Sequence, residues 1–224
     1  MLPCLPFLSK ECSGAAAGTG AGLGAHLLWG FAVLFWPLLT GMDPVSIMSH
    51  RMIWTVVFLG GVLALSGNLG AVRGAFRNTR TLLMLLLAAL LLGTNWTIYI
   101  WAVTTGQIVD SSLGYFITPL LNVLMGRLFL GEKLTRPQSL AIALAFCGVA
   151  VSVAAFGQVP WLGCSLAFTF ALYGYVQKTL HMDSAPSLFV QALLLMPAAI
   201  LWLGFMEEGF GLTGHGAMRP VLLV

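Results

Sequence analysis

The sequence predicts an all-α polytopic membrane protein. Of its 224 residues 59% are hydrophobic and only 8% charged, the mean hydropathy is +0.96, and the apolar stretches follow one another almost end to end. A water-soluble domain carries about 25% charged residues. The connections are too short to hold a separate folded module, so the membrane bundle is expected to be the whole protein.

Apolar runs of about 18 to 25 residues bounded by turn or charged residues predict about seven spans. They lie near residues 22–40, 45–66, 81–103, 111–130, 137–156, 160–178 and 186–205. The first follows the tract SGAAAGTGAGLGA, which is either a close-packing surface of small residues or a flexible entry whose second half joins the helix. GMDP separates the first two spans, and the longer GNLGAVRGAFRNTR the second and third. TTGQIVD, GEKLTRP, GQV and KTLHMDSA supply the remaining breaks. Connections this tight make neighbouring helices antiparallel.

Orientation follows from the basic residues, which are retained on the cytoplasmic side. Lys10, Arg73, Arg77, Arg80, Arg127, Lys133, Arg136 and Lys178 fall on one side of the alternating bundle, and Arg219 is the exception. The N-terminus is therefore expected in the cytoplasm. The net charge of +3 reflects this topology and gives no nucleic-acid-binding face. Cys4, Cys12, Cys147 and Cys164 lack CxxC spacing, so neither a disulfide framework nor a metal site is expected. The opening MLPCLPFLSKECSG lacks the order of a signal peptide, and the first span is expected to stay in the mature protein.

One internal similarity stands out. GMDPVSIMSHRMIWTVV can be laid on HMDSAPSLFVQALLLMP by the shared Met-Asp and the apolar helix that follows. Five spans separate the two units, so a second copy would insert upside down, as in the inverted repeats of many transporters.

The polar residues inside spans are the candidate site. Placing arginine at a helix centre costs roughly 2.5 to 3.5 kcal/mol, and such residues face the bundle interior or a wet cavity. Arg51, in IMSHRMIW, lies about 10 Å inside the second span at 1.5 Å per residue. It either lines a cavity and meets an anionic or polar substrate, or forms an ion pair with Asp43 or Asp110. His50 points about 100° away and is read as a packing residue. In GTNWTIYIW, Asn95 and Tyr99 are four apart and share a helix face. They form a polar stripe toward the cavity, or else Asn95 bonds a neighbouring helix while Tyr99, Trp96 and Trp101 anchor at the interface. Pro119 interrupts the fourth span and frees a backbone carbonyl. Gly114, Tyr115, Thr118 and Asn122 cluster around that break, which is either a structural kink or part of the solute path.

The seven carboxylates, Glu11, Asp43, Asp110, Glu132, Asp183, Glu207 and Glu208, lie in the tail, connections or span ends, so no span holds the buried acid of a proton relay. There is no HExxH, no GxSxG within a span and no pair of intramembrane acids. No enzymatic activity, cofactor or metal is expected.

SHRMIW, NWTIYIWAV, SSLGYFITPLLNVLMGRLFLGEKLT, LAFCGVAVSVAAFG and LAFTFALYGYVQK, in that order, resemble the RarD family, in the EamA group of the drug/metabolite transporter superfamily. The resemblance covers about residues 26–195. It implies a bacterial inner-membrane transporter of ten helices in two inverted five-helix repeats around a central cavity, in a family linked by name with chloramphenicol sensitivity. The matching positions are Trp29, Gly30, His50, Arg51, Trp54, Asn95, Trp96, Trp101, Gly114, Tyr115, Phe116, Pro119, Gly131 and Glu132. The chain departs from the family pattern at Val33, Pro37, Ser46, Thr104 and Thr118, each time losing a proline, charge or amide.

On this resemblance residues 1–20 are a cytoplasmic tail, 21–156 a first five-helix repeat, and 157–224 a partial second repeat of two helices and a C-terminal segment. The chain ends at GHGAMRPVLLV, where an eighth span would start, so it is expected to be C-terminally truncated. The expected activity is alternating-access movement of a small organic solute. The alternative is a non-transporting chain that acts through helix association, or an inactive fragment. The expected partners are the bilayer, a small-molecule solute and a second copy or complementing helices, with no nucleic acid.

Overall fold

The computed structural model describes residues 9–39, 41–129, 131, 134–157 and 160–205. Among them there are eight α-helices and no strand: α1 (Ser9–Phe35), α2 (Pro44–Leu65), α3 (Leu69–Arg77), α4 (Thr79–Thr104), α5 (Ile108–Phe129), α6 (Arg136–Phe156), α7 (Trp161–Thr179) and α8 (Ser184–Phe205). Five of them, α2, α4, α5, α6 and α8, are long and apolar enough to cross a membrane. The protein is a multi-pass, all-α membrane protein. Glu132, Lys133, Glu207, Glu208, Arg219 and the C-terminal segment lie outside the described residues.

Each expected span corresponds to a helix, with three differences. The Gly/Ala tract is helical throughout, because α1 starts at Ser9; the alanines are the best helix formers and offset the glycines. The connection GNLGAVRGAFRNTR contains the nine-residue α3, whose glycines and arginines disguise an apolar stripe. The third difference is that α1, which carries the expected first span, and α7 fall outside the five apolar helices; in α7 Trp161, Tyr173, Tyr175, Gln177 and Lys178 dilute the hydropathy.

α1 and a short 3₁₀ turn at Trp36–Leu39 form one compact unit, and helices α2 to α8 form another. Pro37 suits the change of helix type, since proline cannot donate to the α-helical ladder. Asp43 then caps α2: its carboxylate accepts from the Ser46 N–H at 2.9 Å and from Ser46 Oγ at 3.1 Å. Pro44 at the first helical position needs no donor there.

In the second unit α4 is the central helix, touching α2, α3, α5, α7 and α8. α2 lies against α8, and α5 against α7. The α2–α8 pair runs antiparallel: Gly60, late in α2, meets Phe189, early in α8, while Trp202, late in α8, donates to Ser46 Oγ at 3.3 Å. The stripe of α3 carrying Val72 and Ala75 closes one end of this layer against Leu63, Leu85 and Val190. α6 touches α5 and buries none of its apolar window.

The α5–α7 contact rests on two glycines. A Cβ on Gly114 would stand 2.9 Å from Gly163 O, and one on Gly163 would stand 2.9 Å from both Asp110 O and Gly114 N. Backbones this close exclude a side chain, and small residues are what let membrane helices pack by van der Waals contact. Gly114→Val or Gly163→Val should cost about 1 to 3 kcal/mol and lower the thermal unfolding midpoint of the detergent-purified chain. Gly204→Ala, with nothing within 4 Å, should not lower it.

Candidate functional site

Four α2 residues on one helical face, Met48, Arg51, Met52 and Thr55, wall a cavity of about 40 Å³. Ala89, Leu92 and Trp96 of α4 form its second wall, and Leu188, Gln191, Ala192 and Leu195 of α8 its third. The spacings on α2 and α8 are i, i+3, i+4, i+7, the stripe by which a helix presents one face. The volume holds a few water molecules.

Arg51 lies with its guanidinium carbon 3.5 Å from the centroid of the Trp96 ring. A desolvated cation over tryptophan is worth about 2 kcal/mol or more, which offsets much of the insertion cost of arginine. The indole offers no nitrogen or oxygen acceptor, and Nη1 is buried without a hydrogen-bond partner among the described residues. Neither Asp43 nor Asp110 therefore bonds that nitrogen. Asp43 is the cap of α2, and Asp110 lies in the first turn of α5, where the helix dipole favours a carboxylate.

Asn95, next to Trp96, turns toward α7. Its Nδ2 donates to Leu166 O and to Thr169 Oγ1, both at 2.8 Å. Of the two roles open to it, the structure shows the interhelical one. Tyr99 stands edge-on to Trp96, with ring centroids 5.6 Å apart, and edge-on to Tyr115 of α5 at 6.4 Å. A line of aromatic rings thus runs from Arg51 across α4 to α5. Tyr115 is 57% exposed, the outer end of that line.

The other α5 candidates lie apart from the cavity lining. Thr118 Oγ1 donates to Gly114 O of its own helix at 2.7 Å, Pro119 is exposed within α5, and Asn122 Oδ1 lies near Gly174 of α7. The structure brings together Arg51, Trp96, Tyr99 and Tyr115, and turns the Asn95 amide to α7. His50 is half-buried on α2.

Gln191 escaped the sequence reading. It is 2% exposed, and its Nε2 donates to Gln177 Oε1 at 3.1 Å and Ser187 Oγ at 2.9 Å. Gln177 and Ser187 bond each other as well. Oε1 is buried without a hydrogen-bond partner among the described residues. The signal was present but weak: a lone amide inside the apolar run LFVQALLL, uncharged and so less conspicuous than Arg51. Among the described residues no group of three His, Cys, Asp or Glu side chains converges to hold a metal ion.

Residues 16–154 match the model of the EamA-like transporter family. The chain is 40% identical to protein RarD of Streptomyces exfoliatus over 205 residues, covering 90% of this chain and 65% of that protein. It is 38% identical to an uncharacterised transporter of Vibrio cholerae, covering 90% of this chain and 67% of the relative. With the chloramphenicol-sensitive protein RarD of Pseudomonas aeruginosa it shares 29% identity over 77% of this chain and 60% of that protein. The chain thus spans about two thirds of the length of these relatives. No solved structure matches it.

Replacing Asn95 by leucine removes both bonds to α7. The unfolding midpoint should fall by the equivalent of about 0.6 to 1.7 kcal/mol, the range for interhelical hydrogen bonds in membranes. Thr97→Val, which deletes only a hydroxyl bonded to Gly93 O of the same helix at 2.9 Å, should leave the midpoint in place.

Proposed function

The chain belongs to the EamA-like transporter family, and from that membership we propose that it moves a small organic solute across the bacterial inner membrane by alternating access around the α2/α4/α8 cavity. The observation that carries this reading is a guanidinium in that cavity whose charge is met by an aromatic face and whose buried Nη1 has no hydrogen-bond partner among the described residues. Charged groups inside a membrane bundle mark solute pathways. Arg51 is the principal contact in this reading, and Tyr99 and Tyr115 continue the path toward α5. Thr118, Pro119 and Asn122 belong to the α5 segment that moves with it. Asn95 keeps α4 against α7 during that motion.

The proposed orientation places the N-terminus in the cytoplasm, in line with Arg73, Arg77, Arg80, Arg127, Arg136 and Lys178 on one side. Residues 21–156 make the first repeat and 157–224 part of a second. The internal Met-Asp similarity supports the inverted relation between them.

The test is solute flux into liposomes holding the purified 224-residue chain, with a panel that includes chloramphenicol, the compound in the name of the Pseudomonas relative. Saturable flux is expected, and Arg51→Ala should reduce it at least tenfold while inserting at the wild-type level. Equal loss of insertion and flux would point to a structural role for Arg51. Normal insertion of wild type with no flux would leave association with other helices as the activity.

A further inference from the structure

α3 closes the end of the bundle where α2 and α7 finish and α4 and α8 begin. Its Val72 and Ala75 pack on Leu63, Leu85 and Val190, and Leu180 and Met182 of the α7–α8 connection rest on the same cluster. The opposite side of the helix carries Arg73 and Arg77, four apart and so on one face. Arg77 lies about 140° round from Val72 at 3.6 residues per turn. Arg80 follows in the first turn of α4. All three arginines are exposed, and none of their side chains has a hydrogen-bond or ion-pair partner among the described residues. Residues 66–80 contain no carboxylate. Asp183, in the α7–α8 connection, is exposed and pairs with none of them.

For the fold alone these arginines are poorly placed. A helix of nine residues is too short to be stable by itself, and like charges at i and i+4 weaken it further. Arg80 stands at the positive end of the α4 dipole, where a cation is disfavoured. An anion held among the three would relieve both repulsions. The first turn of α4 does not itself call for that anion, because Asn78 Oδ1 already accepts from Arg80 N at 3.0 Å and from Thr81 N at 3.2 Å. The attraction comes from the guanidinium groups.

The place of α3 selects the kind of anion. It lies in the connection between two membrane-spanning helices, so its arginines stay at the bilayer surface. Phe76, at the margin of the buried stripe, is 46% exposed, and Leu65 at the end of α2 is 92% exposed. A basic face with an aromatic residue at its apolar edge is the pattern of a helix lying in the membrane interface. Guanidinium matches phosphate through paired N–H···O bonds, and a phosphodiester headgroup with no cation of its own keeps the negative charge those bonds require.

We propose that α3 docks anionic phospholipid, with Arg73, Arg77 and Arg80 on headgroup phosphates and Phe76 against the acyl chains. The bound lipid holds α3 on the end of the α2/α4/α8 layer. This inference needs only the membrane fold and stands apart from the transport reading.

The test is lipid binding by the detergent-purified 224-residue chain in native mass spectrometry, comparing phosphatidylglycerol with phosphatidylcholine of the same acyl chains. Both carry one phosphate, and the choline cation cancels its charge in the second. A basic residue near an anionic surface gains about fivefold, so phosphatidylglycerol should bind about tenfold or more tighter. Arg73→Gln/Arg77→Gln/Arg80→Gln should bring the two lipids to about equal affinity, whereas Arg136→Gln, at the exposed start of α6, should keep the preference. Hydrogen exchange on wild type needs no variant to fold: the amides of residues 69–80 should exchange about threefold or more slowly in nanodiscs containing phosphatidylglycerol than in phosphatidylcholine alone. Equal binding of the two lipids by wild type, a preference that survives the triple variant, an equal loss in Arg136→Gln, or unchanged exchange over residues 69–80 would each overturn the proposal. Displacement of phosphatidylglycerol by equimolar inorganic phosphate would overturn it as well, marking the patch as a site for a free anion.

Discussion

A guanidinium inside a membrane bundle is the constraint around which the rest is arranged. Arg51 cannot face lipid, so α2 must turn that face inward, and α4 and α8 must close over it. Trp96 meets the cation at 3.5 Å, an attraction of about 2 kcal/mol or more when water is excluded. That is comparable with the roughly 2.5 to 3.5 kcal/mol needed to insert the arginine. The balance is near even, with one donor still unsatisfied, so the residue contributes little to stability and its use lies elsewhere.

α4 gives this arrangement its rigidity. Successive residues of one helix look in different directions: Trp96 faces the cavity, while Asn95 bonds α7 through two hydrogen bonds. α7 in turn rests on α5 through the Gly114–Gly163 approach. Lipid supplies no hydrophobic drive between helices, so close backbone packing and buried hydrogen bonds hold the bundle. The Gln177–Ser187–Gln191 network does the same between α7 and α8.

Much of this was legible in the sequence, for identifiable reasons. Length and hydropathy locate the spans because the bilayer sets both, and Arg51 stands out because a charge among apolar residues has few explanations. α3 was not legible, since glycines and arginines in GNLGAVRGAFRNTR read as a loop until Val72 and Ala75 are seen to pack. Asn95 allowed two roles, and only its 2.8 Å bonds to α7 separate them. Gln191 was overlooked because an uncharged amide in LFVQALLL raises no alarm beside an arginine. Its weight comes from sharing a cavity with Arg51, a relation across the fold that the Met-Asp similarity hinted at without locating.

The central claim is that the α2/α4/α8 cavity is a polar, solute-accessible space at membrane depth. The most direct measurement is the rate at which a membrane-impermeant methanethiosulfonate modifies Met48→Cys, with the four native cysteines replaced, in sealed vesicles. Leu144→Cys on α6, 65% exposed in the bundle and outside the cavity lining, is the reference. The account predicts that Met48→Cys reacts far faster than Leu144→Cys and that reagent reaches it from the aqueous phase. Equal protection of both positions until the bundle is denatured would contradict it.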